Sequence, residues 1–331
     1  VQVGSAIYVI EKFSNPISVT LSDSARNVAT YLDSVQELAT FIASKPGLAF
    51  TTTLSGGATS ISFTANQVAS DPLAIASIQN SNLAITVQDT DANLSNNLDA
   101  LQKLYSSQRL VGHTVNFLFP SSEAYPTLSV SAPQILSDAN AIGLLLANPL
   151  ASLAVTGSAY QIAHALGNLG DLVNGLIALN EAGKIGSITQ TDHLPLALSI
   201  SQFNLANAEP LSGGQALLSF ITGYSIEIDD SFANVSNSIN DLAFLAQQSV
   251  LTGLKVDDAT VLKVSASQAA DFQGVTLFGA GGGLLQFDIS DTAENIQNSL
   301  SSLSLLFQSG VIQNVEITDG NTLHLNASDV I

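Results

Sequence analysis

The sequence predicts an α/β fold built as a tandem repeat array. We expect about five units of order β-α-β-β-α, each with a small mixed sheet, stacked into an elongated solenoid-like chain. Three observations predict it: a short Asp-Ser/Thr motif recurs, aliphatic residues follow it at helical spacing, and alternating residues precede it at strand spacing. Neighbouring repeats stabilise one another through a shared core. A string of separate beads is the alternative, although no linker rich in Pro or charge separates the units.

The recurring motif is clearest in Asp89-Thr90-Asp91-Ala92-Asn93-Leu94 and Asp291-Thr292-Ala293-Glu294-Asn295-Ile296. It recurs at Asp23-Ser24 and Asp230-Ser231, and in degenerate form at Gly157-Ser158. The anchors at 23, 89, 157, 230 and 291 predict repeats at 17–82, 83–149, 150–223 (degenerate), 224–282 and 283–331 (truncated). Residues 1–16 are interpreted as the end of a preceding unit or an N-terminal strand, and the chain as an excerpt of a longer polypeptide.

Each anchor is interpreted as the start of an amphipathic helix. Ser or Thr after the Asp is a favoured N-cap, Asn or Gln three residues later reaches back as in a capping box, and the Asp complements the helix dipole. The predicted structural caps are Asp23, Ser24, Asp89, Thr90, Asp230, Ser231, Asp291 and Thr292. Aliphatic residues then follow in steps of four, three and three, as in Leu94, Leu98, Leu101 and Leu104. This stripe predicts one buried face, with Leu300 among its core positions.

Strands flank each predicted helix. Alternation such as Phe287, Ile289 with Asp288 and Ser290 predicts a half-buried strand before the anchor. Two further strands follow the helix, and Asp319-Gly320 between them predicts an antiparallel hairpin. The third strand leads into a second helix start with a Ser/Thr-x-x-Gln capping box. Starts with this box are predicted at Thr64–Gln67, Ser131–Gln134 and Ser265–Gln268. A further start is predicted at Asn326–Asp329, and a contracted one at Ser201-Gln202.

The composition excludes several kinds of partner. The chain has 8 basic and 27 acidic residues, a formal charge of -19, and only 11% charged residues. Phosphate neutralisation needs clustered Lys and Arg, so nucleic acid is not expected to bind. No apolar stretch is long enough for membrane insertion. Cys is absent, which rules out disulfides and thiolate metal sites. The remaining surface, rich in Ser, Thr, Asn and Gln, suits close contact between protein molecules.

The sequence has few candidate residues for catalysis or metal binding. Asp229, Asp230, Asp257 and Asp258 are weak calcium candidates, since paired carboxylates supply oxygen ligands, although a helix cap and a solvated turn explain them more simply. No other cofactor is expected. The histidines at 113, 164, 193 and 324 lack metal-ligand spacing, and Asp192-His193 is the one adjacent acid and imidazole. We therefore expect no enzyme; activity would require a cleft formed by an inserted loop such as 120–126.

The quoted motifs carry a resemblance. Asp-Thr-Ala-x-Asn-Ile, the Leu ladder, Ile-Thr-Asp-Gly and Leu-x-Ala-x-Asp, best preserved in residues 291–330, resemble the repeats of large alphaproteobacterial surface-layer and adhesin-like proteins secreted by type I systems. The resemblance implies a structural module outside the cell rather than an activity. The Gly-Gly-x-Gly-x-Asp calcium tract of such proteins does not occur here, so a calcium roll is not carried over.

Two functions fit these observations. The first is an extracellular structural protein, a self-assembling building block of a bacterial surface layer, filament or biofilm matrix, whose partners are copies of itself. Cell-surface polysaccharide is a further partner to consider. The alternative is a non-assembling adhesin stalk, with the ligand-binding domain elsewhere in a secreted repeat protein.

Overall fold

The structure is a computed structural model that describes residues 7–10, 12, 17–110, 112–167, 175–210 and 214–324. The strands are β1 (Ile17–Asp23), β2 (Leu48–Leu54), β3 (Ser60–Phe63), β4 (Ala84–Gln88), β5 (Thr114–Leu118), β6 (Thr127–Ser131), β7 (Ser152–Gly157), β8 (Ile185–Gln190), β9 (Leu196–Leu198), β10 (Ile226–Asp230), β11 (Leu251–Val256), β12 (Val261–Val264), β13 (Thr276–Phe278), β14 (Gln286–Asp291) and β15 (Ile312–Ile317).

The helices lie between these strands, mostly in pairs. They are α1 (residues 7–10), α2 (Ala25–Thr30), α3 (Leu32–Ala43), α4 (Ala65–Ser70), α5 (Pro72–Ala76), α6 (Asp91–Asn96), α7 (Leu98–Leu110), α8 (Ala132–Ser137), α9 (Ala139–Leu145), α10 (Ala159–Ala165), α11 (Leu176–Glu181), α12 (Ile200–Asn207), α13 (Phe232–Asn237), α14 (Ile239–Gln247), α15 (Ala266–Asp271), α16 (Ala293–Asn298) and α17 (Leu300–Gln308). Short 3₁₀ turns occupy Leu217–Phe220 and Ala280–Gly282.

The strands form five small parallel sheets. Their orders are β1-β2, β3-β4-β5, β6-β7-β8, β9-β10-β11-β13 and β12-β14-β15. Helix pairs make the crossovers: β3 leads through α4 and α5 to β4, which leads through α6 and α7 to β5. Parallel neighbours require such crossovers, because the chain must return to the start of the sheet.

The predicted fold class is wrong. The described residues form five small parallel sheets with helices, in two units that are each compact, and they show neither the expected mixed sheets nor a solenoid-like array of repeats. The strands expected to form hairpins enter different sheets: β5 joins β4 while β6 joins β7, and β11 joins β10 while β12 joins β14. Asp319 illustrates the cause, because its carboxylate accepts hydrogen bonds from Asn321 and from the first amide of α16. The Asp319 side chain, which suggested a hairpin turn, thus helps to begin α16 instead.

The predicted long helices are broken. Tyr31, Asn97, Ser238 and Ser299 each leave helical geometry and divide the expected helix after two turns or fewer. The aliphatic stripe continues across the break, with Leu94, Leu98 and Leu101 all fully buried. Leu300 is only half-buried, which corrects its predicted place in the core. The second helix start of the third repeat also differs from the prediction at Ser201-Gln202. The N-cap of α12 is Ser199, which forms a full capping box with Gln202.

The chain divides into two compact units, residues 1–155 with 184–187, and residues 156–183 with 188–331. In the first unit the core lies between strands and crossover helices, including fully buried Leu83, Ile85 and Leu128. In the second it includes Phe272 and Phe287, whose ring centroids are 5.6 Å apart. The predicted repeat boundaries stay a prediction. Leu169 and Leu172, which continue the aliphatic stripe after the third anchor, and the whole Asn326–Asp329 helix start lie outside the described residues.

Candidate functional site: shared carboxylates at the helix starts

Four aspartates stand at or directly after the end of a strand, where the next helix begins. At Asp291, Oδ1 accepts the Thr292 N–H at 2.8 Å and the Asn295 Nδ2–H at 2.7 Å. Thr292 in turn accepts the Asn295 N–H at 3.2 Å as N-cap of α16. The same arrangement occurs in Asp23 with Ser24 and Asn27, Asp89 with Thr90 and Asn93, and Asp230 with Ser231 and Asn234. These contacts satisfy amides that a helix start leaves without partners.

The Asn does not act as the capping-box residue that the sequence suggested. Its side chain donates to the Asp, whereas a capping-box side chain accepts from the N-cap amide. A true capping box forms at the degenerate anchor, where Gln161 Oε1 accepts the Ser158 N–H at 3.0 Å. The Asp and Asn are thus one unit, and an anchor without Asp uses Gln instead.

The second oxygen of three of these aspartates reaches a different helix. It accepts the first amide of the helix that follows the neighbouring strand of the same sheet. The pairs are Asp89 Oδ2 with Ala65 at 3.0 Å, Asp230 Oδ2 with Ile200 at 3.0 Å, and Asp291 Oδ2 with Ala266 at 2.9 Å. One carboxylate therefore begins two helices, and it ties adjacent strands together where they end. Asp23 Oδ2 accepts no hydrogen bond within the described ranges.

These contacts lower the carboxyl pKa at Asp230 and Asp291. Burial alone raises the pKa of Asp230, but hydrogen bonds from Asn234, Ser231 and Ile200 outweigh it, and the pKa lies below the ordinary value. The pKa of Asp291 is lowered for the same reason, with burial and nearby Asp319 opposing the hydrogen bonds. Both groups are charged anions at neutral pH, the form that stabilises a helix N-terminus.

A second set of acids does the same from the loops after β5, β8, β11 and β15, the strands that follow the anchor helices and pair with the anchor strands. Each accepts the first amide of an anchor helix. The pairs are Glu123 with Asp91, Asp192 with Ala159, Asp258 with Phe232, and Asp319 with Ala293. The Ala159 amide is the main cause that lowers the pKa of Asp192. The sequence did not suggest this role; the available signal was an acid in the loop after the strand that follows four of the five anchor helices.

The four calcium candidates are engaged by protein groups. Lys255 Nζ lies 2.7 Å from Asp229 Oδ2 and 2.8 Å from Asp257 Oδ1, and these two hydrogen bonds hold the pKa of Lys255 well above its ordinary value. Asp230 and Asp258 accept helix amides. Among the described residues no group of three or more His, Cys, Asp or Glu is arranged to hold a metal ion.

Two buried aspartates outside the anchors form carboxyl pairs that the sequence did not suggest. Asp138, only 3% exposed, stands between α8 and α9, and Asp71 occupies the matching place between α4 and α5. Burial, followed by a hydrogen bond and charge repulsion from Asp99, raises the pKa of Asp138 to about 6. Burial likewise raises the pKa of Asp71, which faces Asp33. In each pair the buried Asp therefore binds a proton more tightly than a lone carboxyl would.

The histidines have separate local roles. His113 is buried, and burial lowers its pKa. His164 stacks on Tyr160 with ring centroids 6.1 Å apart. His193, next to Asp192, has a left-handed backbone with φ of 53°, and the backbone amide of His324 donates to Gln297. The Asp192 carboxylate is directed at amides, including that of Ala159, and not at an imidazole in any described contact.

The described surface also has concave regions, of which two contrast in their lining. A groove of about 480 Å³ lies beside Phe272, Leu277 and Leu306, and its lining has no titratable side chain. One of about 440 Å³ lies between α4–α5 and α7 and includes Asp99 and Lys103. No helix in the described part of the chain has the length and apolarity to cross a membrane. No family model, curated protein or solved structure matches the chain.

Proposed function

We propose that the chain is an extracellular structural protein that assembles with copies of itself, as a building block of a bacterial surface layer, filament or biofilm matrix. The observation that carries the proposal is a set of large apolar side chains exposed on a surface with few charges. Phe244 is 60% exposed and Phe307 is 69% exposed. Exposed apolar groups of this size favour protein contacts, especially where charge does not oppose them.

Corresponding helix positions support the proposal. The residue before the fourth stripe position is Glu37 on α3 and Lys103 on α7, both exposed and charged. On α14 it is Phe244 and on α17 it is Leu305, both more than half exposed. An exposed helix position ordinarily carries a polar side chain. On these two helices Phe and Leu stand where the other two carry a charge. Burying these side chains against another molecule would remove apolar surface from water and so favour association.

Tyrosines extend this apolar character across the described surface. Tyr31, Tyr125 and Tyr160 expose 63%, 78% and 75% of their side chains. Tyrosine is enriched in interfaces because its ring buries a large area while its hydroxyl hydrogen-bonds. The low fraction of charged residues, 11%, leaves little electrostatic repulsion between such contacts despite the acidic balance.

We infer that assembly does not depend on calcium at Asp229, Asp230, Asp257 and Asp258. Lys255 and the starts of α12 and α13 already use oxygens of these residues. Assembly in excess EDTA should therefore equal assembly in millimolar calcium. A requirement for calcium would show that a ligand set outside these contacts takes part.

The test combines electron microscopy with sedimentation velocity over a wide range of protein concentration. We expect ordered assemblies or concentration-dependent oligomers from the unaltered chain. Phe244→Lys should raise the concentration needed for assembly, because a charge replaces an exposed apolar contact. Gln247→Lys adds the same charge at an exposed position of the same helix and should have a much smaller effect. Dispersed monomers under all conditions would contradict the proposal and favour the adhesin stalk.

A further inference from the structure

The β3-β4-β5 sheet has one buried face and one face exposed to solvent. Ile61, Ile85 and Val115 are register partners on the buried face. The alternate side chains form the other face, which we call the open face: Ser60 and Ser62 of β3, Thr86 and Gln88 of β4, Asn116 and Leu118 of β5. Five of these six are exposed and Thr86 is half-buried. Core packing therefore accounts for one side of the sheet, and its other side meets solvent.

An exposed face is unusual for a parallel sheet. Such sheets ordinarily have both faces covered, and their strands are then continuous hydrophobic runs. The three strands here alternate instead, as in Ser60-Ile61-Ser62-Phe63. A parallel sheet with a polar, solvent-exposed face is thus a surface that a further layer of protein can cover.

The corresponding faces of two other sheets carry charges. Lys255 on β11 lies 2.7 Å from the Asp229 carboxylate on β10. Lys263 on β12 lies 3.6 Å from the Glu316 carboxylate on β15. In contrast, β3, β4 and β5 contain no charged residue. Because removing charges from water is costly, the charged faces resist being covered and the open face does not.

The position three residues before each anchor Asp shows this contrast most clearly. It is Glu227 in β10 and Asp288 in β14, whereas it is Thr86 in β4. Thr86 lies at the centre of the open face, in register with Ser62 on one side and Asn116 on the other. A carboxylate is therefore compatible with the fold at this position, and Thr86 leaves the centre of the open face uncharged.

The chemistry of the open face fits a second copy of the same face. Hydroxyl groups such as that of Thr86 and amides such as that of Asn116 both donate and accept hydrogen bonds, so the face is complementary to itself. Each copy has a formal charge of -19, and two copies therefore repel each other least where neither carries charge. Leu118, 48% exposed on the outer strand β5, adds apolar area. Small-ligand sites are lined mainly by apolar and aromatic side chains, which favours a protein surface as the occupant here.

We propose that the open face of β3-β4-β5 in one copy packs on the same face of a second copy across a two-fold axis. The two sheets form the layers of a sandwich, and the Thr86 side chains of the two copies lie near the axis. Because the contact uses the same patch on both copies, it closes as a dimer. The inference rests on the proposed self-assembly and gives it one contact; larger assemblies require a further one, such as that proposed at Phe244.

Two aspartate variants test the contact. Thr86→Asp places a charge at the centre of the open face, as Asp288 does at the corresponding position of β14. Ser290→Asp places the same charge on the face of β14, as Asp229 does in β10. Circular dichroism checks that both variants fold. In sedimentation velocity, Thr86→Asp should raise the concentration for half-association at least about tenfold, because like charges then oppose each other across the axis. Ser290→Asp should stay within about twofold of the unaltered chain.

A mixing experiment tests the symmetry of the contact. Thr86→Lys alone should associate as weakly as Thr86→Asp, and an equimolar mixture of the two should associate more tightly than either, since opposite charges then meet across the axis. If the unaltered chain self-associates and Thr86→Asp associates equally well, or the mixture is no tighter than its components, the face is wrong while self-assembly stands. If the unaltered chain stays monomeric at all concentrations, both proposals fail. Binding of a neutral polysaccharide by that monomer, abolished in Thr86→Asp, would then assign the open face to a glycan.

Discussion

At the scale of single residues, the molecule uses acids to begin helices. Asp89, Asp230 and Asp291 each bind amides of two helices, one with each carboxylate oxygen. The sequence was sufficient to predict these aspartates as part of helix starts, because each Asp is followed directly by a Ser or Thr N-cap and the pair recurs along the chain. It was not sufficient to find the second helix, whose amide comes from a strand neighbour 24 to 30 residues away. That contact depends on sheet order, which local spacing does not encode.

A pair of substitutions measures the second contact. Asp89→Ala should lower the free energy of unfolding by about 2 to 4 kcal/mol, because two helix starts lose an acceptor. Thr90→Ala should cost only about 0.5 to 2 kcal/mol, since the Thr90 side chain caps α6 alone. Urea denaturation followed by circular dichroism compares them. Equal losses would mean that the second oxygen contributes nothing.

The buried carboxyl of Asp138 gives a pH-dependent prediction. Its folded pKa of about 6 lies above the ordinary value of 3.8, so its contribution to stability is fully present below about pH 3.8 and is lost as the pH rises through 6. Asp138→Asn keeps the shape without the charge. We expect the variant to be more stable than the unaltered chain at pH 7.5, by roughly 1 to 3 kcal/mol.

The control for this prediction is the pH profile. Below about pH 4 the Asp138 side chain is neutral, so the advantage of Asp138→Asn should disappear there. Asp241→Asn, at an exposed position of α14, provides a matched neutralisation away from the two carboxyl pairs. An advantage for Asp138→Asn that is independent of pH would mean that ionisation is not its cause.

At the scale of elements, periodicity located the helices and missed their breaks. The stripe through Leu94, Leu98 and Leu101 is buried across the interruption at Asn97. Asn97 donates its side-chain amide to Asn93 O and Asn66 Oδ1, which holds the bend in place. A spacing of four residues is the same in a straight helix and across such a bend, so the pattern alone does not distinguish them.

Burial at equivalent stripe positions predicts different costs of truncation. Leu98→Ala should destabilise the chain by about 2 to 5 kcal/mol, since Leu98 is fully buried and its loss leaves a cavity. Leu300→Ala, at the equivalent but half-buried position of α17, should cost about 1 to 2 kcal/mol. Thermal and urea denaturation of the two variants give the comparison. A larger loss of stability for Leu300→Ala than for Leu98→Ala would contradict this prediction, because it would mean that Leu300 is the more deeply buried of the two.

At the scale of the whole molecule, the order of elements was predictable and the pairing of strands was not. A hairpin signal at Asp319-Gly320 favoured antiparallel strands, yet all the sheets are parallel. Strand partners are chosen by contacts between distant segments. The acids that occupy the turns bind helix amides instead of closing hairpins, as Asp258 does with Phe232. Local turn chemistry therefore misled the sheet prediction.

The shared carboxylates also change how the acidity of this chain is to be understood. Eight acids bind first amides or caps at helix starts: Asp23, Asp89, Glu123, Asp192, Asp230, Asp258, Asp291 and Asp319. Their charge is partly balanced by helix dipoles, so the formal -19 overstates the field that another molecule meets. Anyone redesigning this protein towards neutrality should therefore change exposed acids such as Glu37 or Asp241 and leave these eight alone.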